Sequence, residues 1–186
     1  MKKYILIIIA ILEVFHANAQ ESFIAEFRKL EYKPFILERK NHLPVLTQYI
    51  ISGENDVDSV KQLKPDEVKN KYGIDFVTKH GAIIYYLKPG LKYLNISDIY
   101  SMYNVSEKGK TLPLYIDRSK ITIPKSVICV KGNIHNVEII DYTSIDNGIE
   151  RTEKILHITS NFGYKIFKER SESPFKLKPV INNISD

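Results

Sequence analysis

Past Leu12, the apolar residues of this chain come in short runs punctuated by turn signals. Val45 to Ser52 ends at Gly53-Glu54-Asn55-Asp56, and Ala82 to Leu87 ends at Pro89-Gly90. Ile155 to Thr159 follows Ser144 to Thr152, which reads as a polar loop with Asn147-Gly148. Runs this short, rich in Ile, Val and Tyr, read as strands. Helix signals lie between them. Phe23, Phe27 and Leu30 are spaced for a short amphipathic helix over residues 21–32, which Pro34 stops. Lys64 to Lys71 places Pro65 at a helix start, acids in the first turn and lysines in the last. Ser97 is a credible N-cap for a helix through Ile99, Tyr100 and Tyr103. Tyr72 to Thr78, Leu112 to Asp117 and Val137 to Tyr142 read as further strands. Pro124 to Val130 reads as a short buried turn or helix, and Ser106 to Thr111 as a loop. The fold class that follows is α+β, built from small mixed sheets with short helices.

The first residues have a different logic. Lys2 and Lys3 precede an unbroken apolar run, Tyr4 to Leu12, and Ala17-Asn18-Ala19 sets small residues at the positions a signal peptidase reads. Residues 1–19 therefore read as a cleavable secretory signal, with Gln20 as the mature N-terminus. A membrane helix needs about 20 apolar residues, and Glu13 interrupts this run too early. No second run is long enough, so no transmembrane segment is expected after cleavage. The expected setting is the periplasm, the outer membrane surface or the extracellular space.

Charge and cysteine usage narrow the partners. Loss of Lys2, Lys3 and Glu13 with the leader takes the net charge from +5 to +4. The basic residues are spread out rather than gathered in a stripe, which argues against nucleic acid. Cys129 is the only cysteine, so no disulfide forms within the chain, and stability rests on packing. It lies in the apolar run Val127 to Val130, as a buried cysteine would, with no cation beside it to lower its pKa. Three N-x-S sequons, at Asn95, Asn104 and Asn183, matter only in a host that glycosylates secreted proteins.

The chain also repeats its own grammar. Val68, Ile74, Asp75 and Phe76 match Ile134, Ile140, Asp141 and Tyr142, and each half closes on an apolar strand, Ile83 to Tyr86 and Ile155 to Ile158. This divides the chain into a signal (1–19), an N-terminal segment (20–44), a first unit (45–90), a connector (91–111), a second unit (112–160) and a loosely held C-terminal tail (161–186).

Three features in the second unit carry a family resemblance: Ile116-Asp117-Arg118, an I-x-x-V-x-I pattern at Ile134, Val137 and Ile139, and the closing Ile155 to Thr159. The first unit shows the same order in Ile50 to Gly53, Leu63 to Val68 and Gly81 to Lys88. Together they resemble the plug domain of TonB-dependent outer-membrane receptors, as found in short exported proteins of Bacteroidota. Arg118 stands where the receptors have glycine. Lys79-His80-Gly81 and Asp146-Asn147-Gly148 replace their Tyr-Gly turn. The chain is too short to add a receptor barrel. The resemblance implies two plug-like units and an envelope location, and it does not carry transport with it.

Motifs for chemistry are sparse. The mature histidines, His42, His80, His135 and His157, form no H-x-x-x-H pair, and no C-x-x-C exists, so no metal site or cofactor is expected. His157 alternates with Leu156 and Ile158 and should face solvent or a polar neighbour. No G-x-S-x-G and no glycine-rich phosphate loop occurs. No residue is singled out as catalytic. The function expected is a non-enzymatic binding or interaction module with an envelope protein as partner, through an exposed strand edge, with no binding residue named. The alternatives are a small secreted hydrolase using His80 or His135 in a cleft between the units, and a structural envelope component.

Overall fold

A computed structural model describes residues 23, 25–39, 42–73, 78–146 and 149–172, with the backbone alone for Asp146 and residues 169–172. The expected signal peptide lies outside the described residues. So do most of the strand expected at 72–78, the Asn147-Gly148 turn and the tail beyond residue 172.

The fold is mixed α+β. Its strands are β1 (Phe35–Glu38), β2 (Val45–Thr47), β3 (Ile50–Ile51), β4 (Val57–Leu63), β5 (Ala82–Leu87), β6 (Tyr93–Asn95), β7 (Leu114–Ile116), β8 (Ser119–Ile121), β9 (Ile128–Val130), β10 (Ile134–Asp146) and β11 (Ile149–Ser160). Its labelled helices are α1 (Pro65–Tyr72), α2 (Ile96–Met102), α3 (Glu107–Lys110) and α4 (Asn161–Glu172), and residues 25–28 add a helical turn.

Two four-stranded sheets share one topology. The first runs β2-β1-β5-β4 and the second β8-β7-β11-β10. In each, a hairpin supplies the first two strands, the central pair is parallel, and the far edge is antiparallel. The first sheet thus begins at Phe35, inside the segment expected to precede the first unit. The residue match between halves does not follow this topology: Val68 lies in α1, whereas Ile134 opens strand β10.

A third sheet, β3-β9-β6, joins the two. Ile50 and Ile51 pair in parallel with Ile128 and Cys129. Val45 to Ser52 is therefore two strands, and Gln48 makes the break useful. Its side chain is buried, and its Oε1 accepts from the Thr122 and Ile123 amides at 3.0 and 2.6 Å. Its Nε2 donates to Thr122 Oγ1 at 3.1 Å and to the Tyr32 hydroxyl. The Gln48 amide donates to Ser126 Oγ at 3.0 Å. These bonds span the two halves in the interior.

Local chemistry sets the helix ends. Pro65 opens α1, and Glu67 accepts from the Lys64 amide at 2.7 Å. For α2 the cap is Asn95 rather than Ser97. Asp98 sits three residues after Asn95, so the two side chains cap each other's amides at 3.0 and 2.9 Å. Residues 107–110, expected as loop, form α3 because Ser106 caps the Gly109 amide at 3.1 Å. Gly109 also lets α3 settle on Ile139: a Cβ there would lie 3.3 Å from the Ile139 Cδ1.

The core has three parts. Phe27, Ile36, Val68 and Ile84 belong to one cluster, and Ile51, Ile99, Ile116, Cys129, Leu156 and Ile158 to another. Leu37, Leu87 and Val130 lie between. Burying side chains of this size contributes roughly 1.5–3 kcal/mol each.

Candidate functional site

Along β11 the residues Leu156, Ile158 and Ser160 turn into the core, so His157 and Thr159 emerge on the opposite face of the second sheet. On β10, Glu138 pairs with His157 and Asn136 with Thr159, placing both on that face. Helix α4 follows β11 without a break and lies over it. Between helix and sheet runs an open groove of about 780 Å³, lined chiefly by Ile140, Phe162, Tyr164, Ile166 and Phe167, with Arg118, Glu138 and the two histidines His135 and His157.

The groove is anchored by the turn between β7 and β8. Asp117 adopts a left-handed conformation, with φ +54°, which aspartate tolerates better than most residues. Its carboxylate accepts from the Ser160 amide at 2.8 Å, the Ser160 hydroxyl at 2.8 Å and the Tyr49 hydroxyl at 3.2 Å. Ser160 Oγ in turn accepts from the Gly163 amide at 2.9 Å and caps α4. Gly163 is needed there, since a Cβ would stand 2.0 Å from Asp117 Oδ1. Burial, and then the Asp117 charge, push the Tyr49 phenol well above its ordinary range, so it stays a donor. Asp117 is thus a structural pin that ties hairpin, strand end and helix start together.

His157 is held by the same turn. Its Nε2 lies 2.7 Å from the Asp117 carbonyl, which only accepts, so Nε2 carries a proton. Nδ1 faces the Thr159 hydroxyl at 3.4 Å and Glu138 Oε1 at 4.0 Å. Ser160, His157 and Asp117 adjoin without forming a relay. The Ser160 hydroxyl donates to the Asp117 carboxylate, whereas His157 bonds the backbone of Asp117, so the imidazole does not bond the hydroxyl.

The two histidines named from sequence are placed apart. His135 is exposed on β10 and stacks on Tyr164 of α4, with ring centroids 3.7 Å apart at 14°. His80 sits in the turn before β5, where its Nε2 stands 3.9 Å from the Glu31 carboxylate. Of His80 and His135, only His135 lines the groove. Helix α4, which supplies the groove's aromatic wall, occupies the start of the segment expected as a loosely held tail; Phe162 and Ile166, four residues apart, are the signal for it.

A second cleft, beside β1 and α1, holds an ion network on one wall. Lys71 bonds Glu38 at 2.9 Å and the Tyr86 hydroxyl at 2.7 Å, and Tyr72 donates to Glu38 at 2.5 Å. Burial alone would raise the Glu38 carboxyl, but Tyr72 and Lys71 outweigh it and hold it below the usual range.

No helix among the described residues is long and apolar enough to cross a membrane. Comparison with protein-family models, curated proteins and solved structures returned no match.

Proposed function

We propose that this chain is an exported, non-enzymatic interaction module of the cell envelope that takes its partner in the groove beneath α4. The observation that carries the reading is the aromatic wall. Phe162, Tyr164 and Phe167 are 45%, 42% and 63% exposed, although they line a concave, mostly apolar surface. Exposed apolar residues gathered at one concavity mark an interaction site more than a resting surface. The leader-like start, Lys2 to Ala19, supports export and an envelope protein as partner.

The test uses the purified chain as bait in native envelope extracts, beside a Phe167→Glu variant. A charge at this exposed wall leaves the core untouched, so circular dichroism should be unchanged. Capture of a defined envelope protein by the parent chain should fall about tenfold or more in the variant, since a buried unpaired charge is costly. Equal capture by both would remove the groove from the interface. An intact Met1 on protein recovered from the envelope would remove the export reading.

A further inference from the structure

Strand β11 has two different edges. On one side it pairs with β10 along its whole length. On the other, β7 covers only Leu156, His157 and Ile158. From Ile149 to Ile155 no strand among the described residues pairs with that side, and residues 149–154 are exposed.

We propose that this free edge is a self-association surface, on which Ile149–Ile155 pairs antiparallel with the same segment of a second copy about a two-fold axis at Thr152. Sequence and backbone support this independently of each other. With Thr152 facing Thr152, Glu150 of one copy faces Lys154 of the other, and Arg151 faces Glu153. Ile149, 57% exposed, falls opposite Ile155, which is already buried, so the pairing rests on residues 150–154. Every charge in the segment thus meets its opposite, as an isologous interface requires.

The backbone points the right way. The Leu156 amide donates to Pro113 at 2.9 Å, and the Ile158 carbonyl accepts from Asp117 at 2.8 Å, both on the β7 side. The β10–β11 register is unbroken from Val137 to Asp146, so these groups alternate regularly along β11. Glu150, Thr152 and Lys154 therefore aim their N–H and C=O groups outward. These are the residues that the Thr152-centred register makes hydrogen-bonded pairs, each exchanging two bonds.

The side chains are available as well. Glu150, Arg151 and Glu153 form no ion pair among the described residues. Lys154 bonds Asp141 at 2.8 Å on its own ribbon, and Thr152 bonds Thr143 at 2.9 Å. Charges on an edge strand usually repel a second strand. Here they would do so in other registers, and they favour this one. The outer edge of β10 offers nothing similar: it carries Glu138, Asp141 and Asp146 with no lysine or arginine.

Association leaves the groove beneath α4 free, so it stands or falls apart from the proposed function. The experiment starts with Thr152→Cys in the full chain. A hydrogen-bonded antiparallel pair sets Cα atoms about 5.5 Å apart, within disulfide reach. Cys129 is buried and gives no background. Mild oxidation should yield a covalent dimer much faster than for Lys92→Cys, an exposed control. Arg151→Glu and Glu153→Arg, each alone, should weaken self-association in sedimentation by about tenfold or more, because like charges then face each other. Mixing the two variants restores both ion pairs and should restore the dimer. Cross-linking no faster than the Lys92 control, or a mixture no more associated than its components, would overturn the proposal.

Discussion

At Cys129 the run Val127 to Val130 turns a nucleophile into a core atom. The side chain is fully buried beside Ile51 and Ile116, and its thiol lies 3.2 Å from the Val130 carbonyl. Burial pushes the thiol from 9.0 up to about 12. Below the lower value both folded and unfolded chains hold the proton, and the group makes no difference. Between the two the unfolded chain ionises and the folded one does not, so stability falls as pH rises through that window. Cys129→Ala should cost about 1 kcal/mol at neutral pH, by cavity formation, and should flatten the alkaline decline in urea titrations. A thiol reagent should label the native protein far more slowly than the unfolded one. Fast native labelling would contradict the buried placement.

At the scale of elements, α4 shows a local preference overruled by a contact. Helix propensity alone favours Gly163→Ala by about 1 kcal/mol. The new Cβ would stand 2.0 Å from Asp117 Oδ1, and that carboxylate is fixed by Ser160 and Tyr49. It cannot swing aside without leaving polar groups unpaired. The substitution should therefore destabilise the protein, by about 1–3 kcal/mol, and displace the aromatic wall from the groove. Thermal melts give the sign, and loss of envelope capture in step with the melt would link the helix to binding. A stabilised variant would mean that α4 is not seated on the Asp117 turn.

On the scale of the whole molecule, two sheets of one topology are stapled rather than strung together. Strands β3 and β9 pair across the halves, and Gln48 reaches from one to the other in the interior. Gln48→Ala strands the Thr122 and Ile123 amides, at roughly 1–3 kcal/mol each, so a loss of about 3 kcal/mol is expected. The parent chain should unfold in one transition, with fluorescence and circular dichroism coincident. Two separated transitions in the parent would show that the halves fold independently despite the staple.

Much of this was legible along the chain. Apolar runs and turn residues located the strands at Ala82 to Leu87 and Ile155 to Thr159, although the second begins at Ile149 and β10 reaches Asp146, both inside the stretch expected as a loop, and Pro65 with its following acids located α1. Apolar context placed Cys129, Ile84 and Ile158 in the core. Each of these depends on neighbours a few residues away, which is the range over which backbone propensity and side-chain periodicity act. What the tertiary structure alone decided is who pairs with whom. Phe35 to Glu38 joins the first sheet because β5 offers it a parallel edge, and Ile50-Ile51 finds β9 in the other half. A strand's own sequence carries its alternation but not its partner, since parallel pairing is closed by chain segments far away. The groove has the same origin. Asp117, Ser160 and Gly163 lie far apart or look unremarkable in sequence, and they become one site only when the β7–β8 turn meets the end of β11.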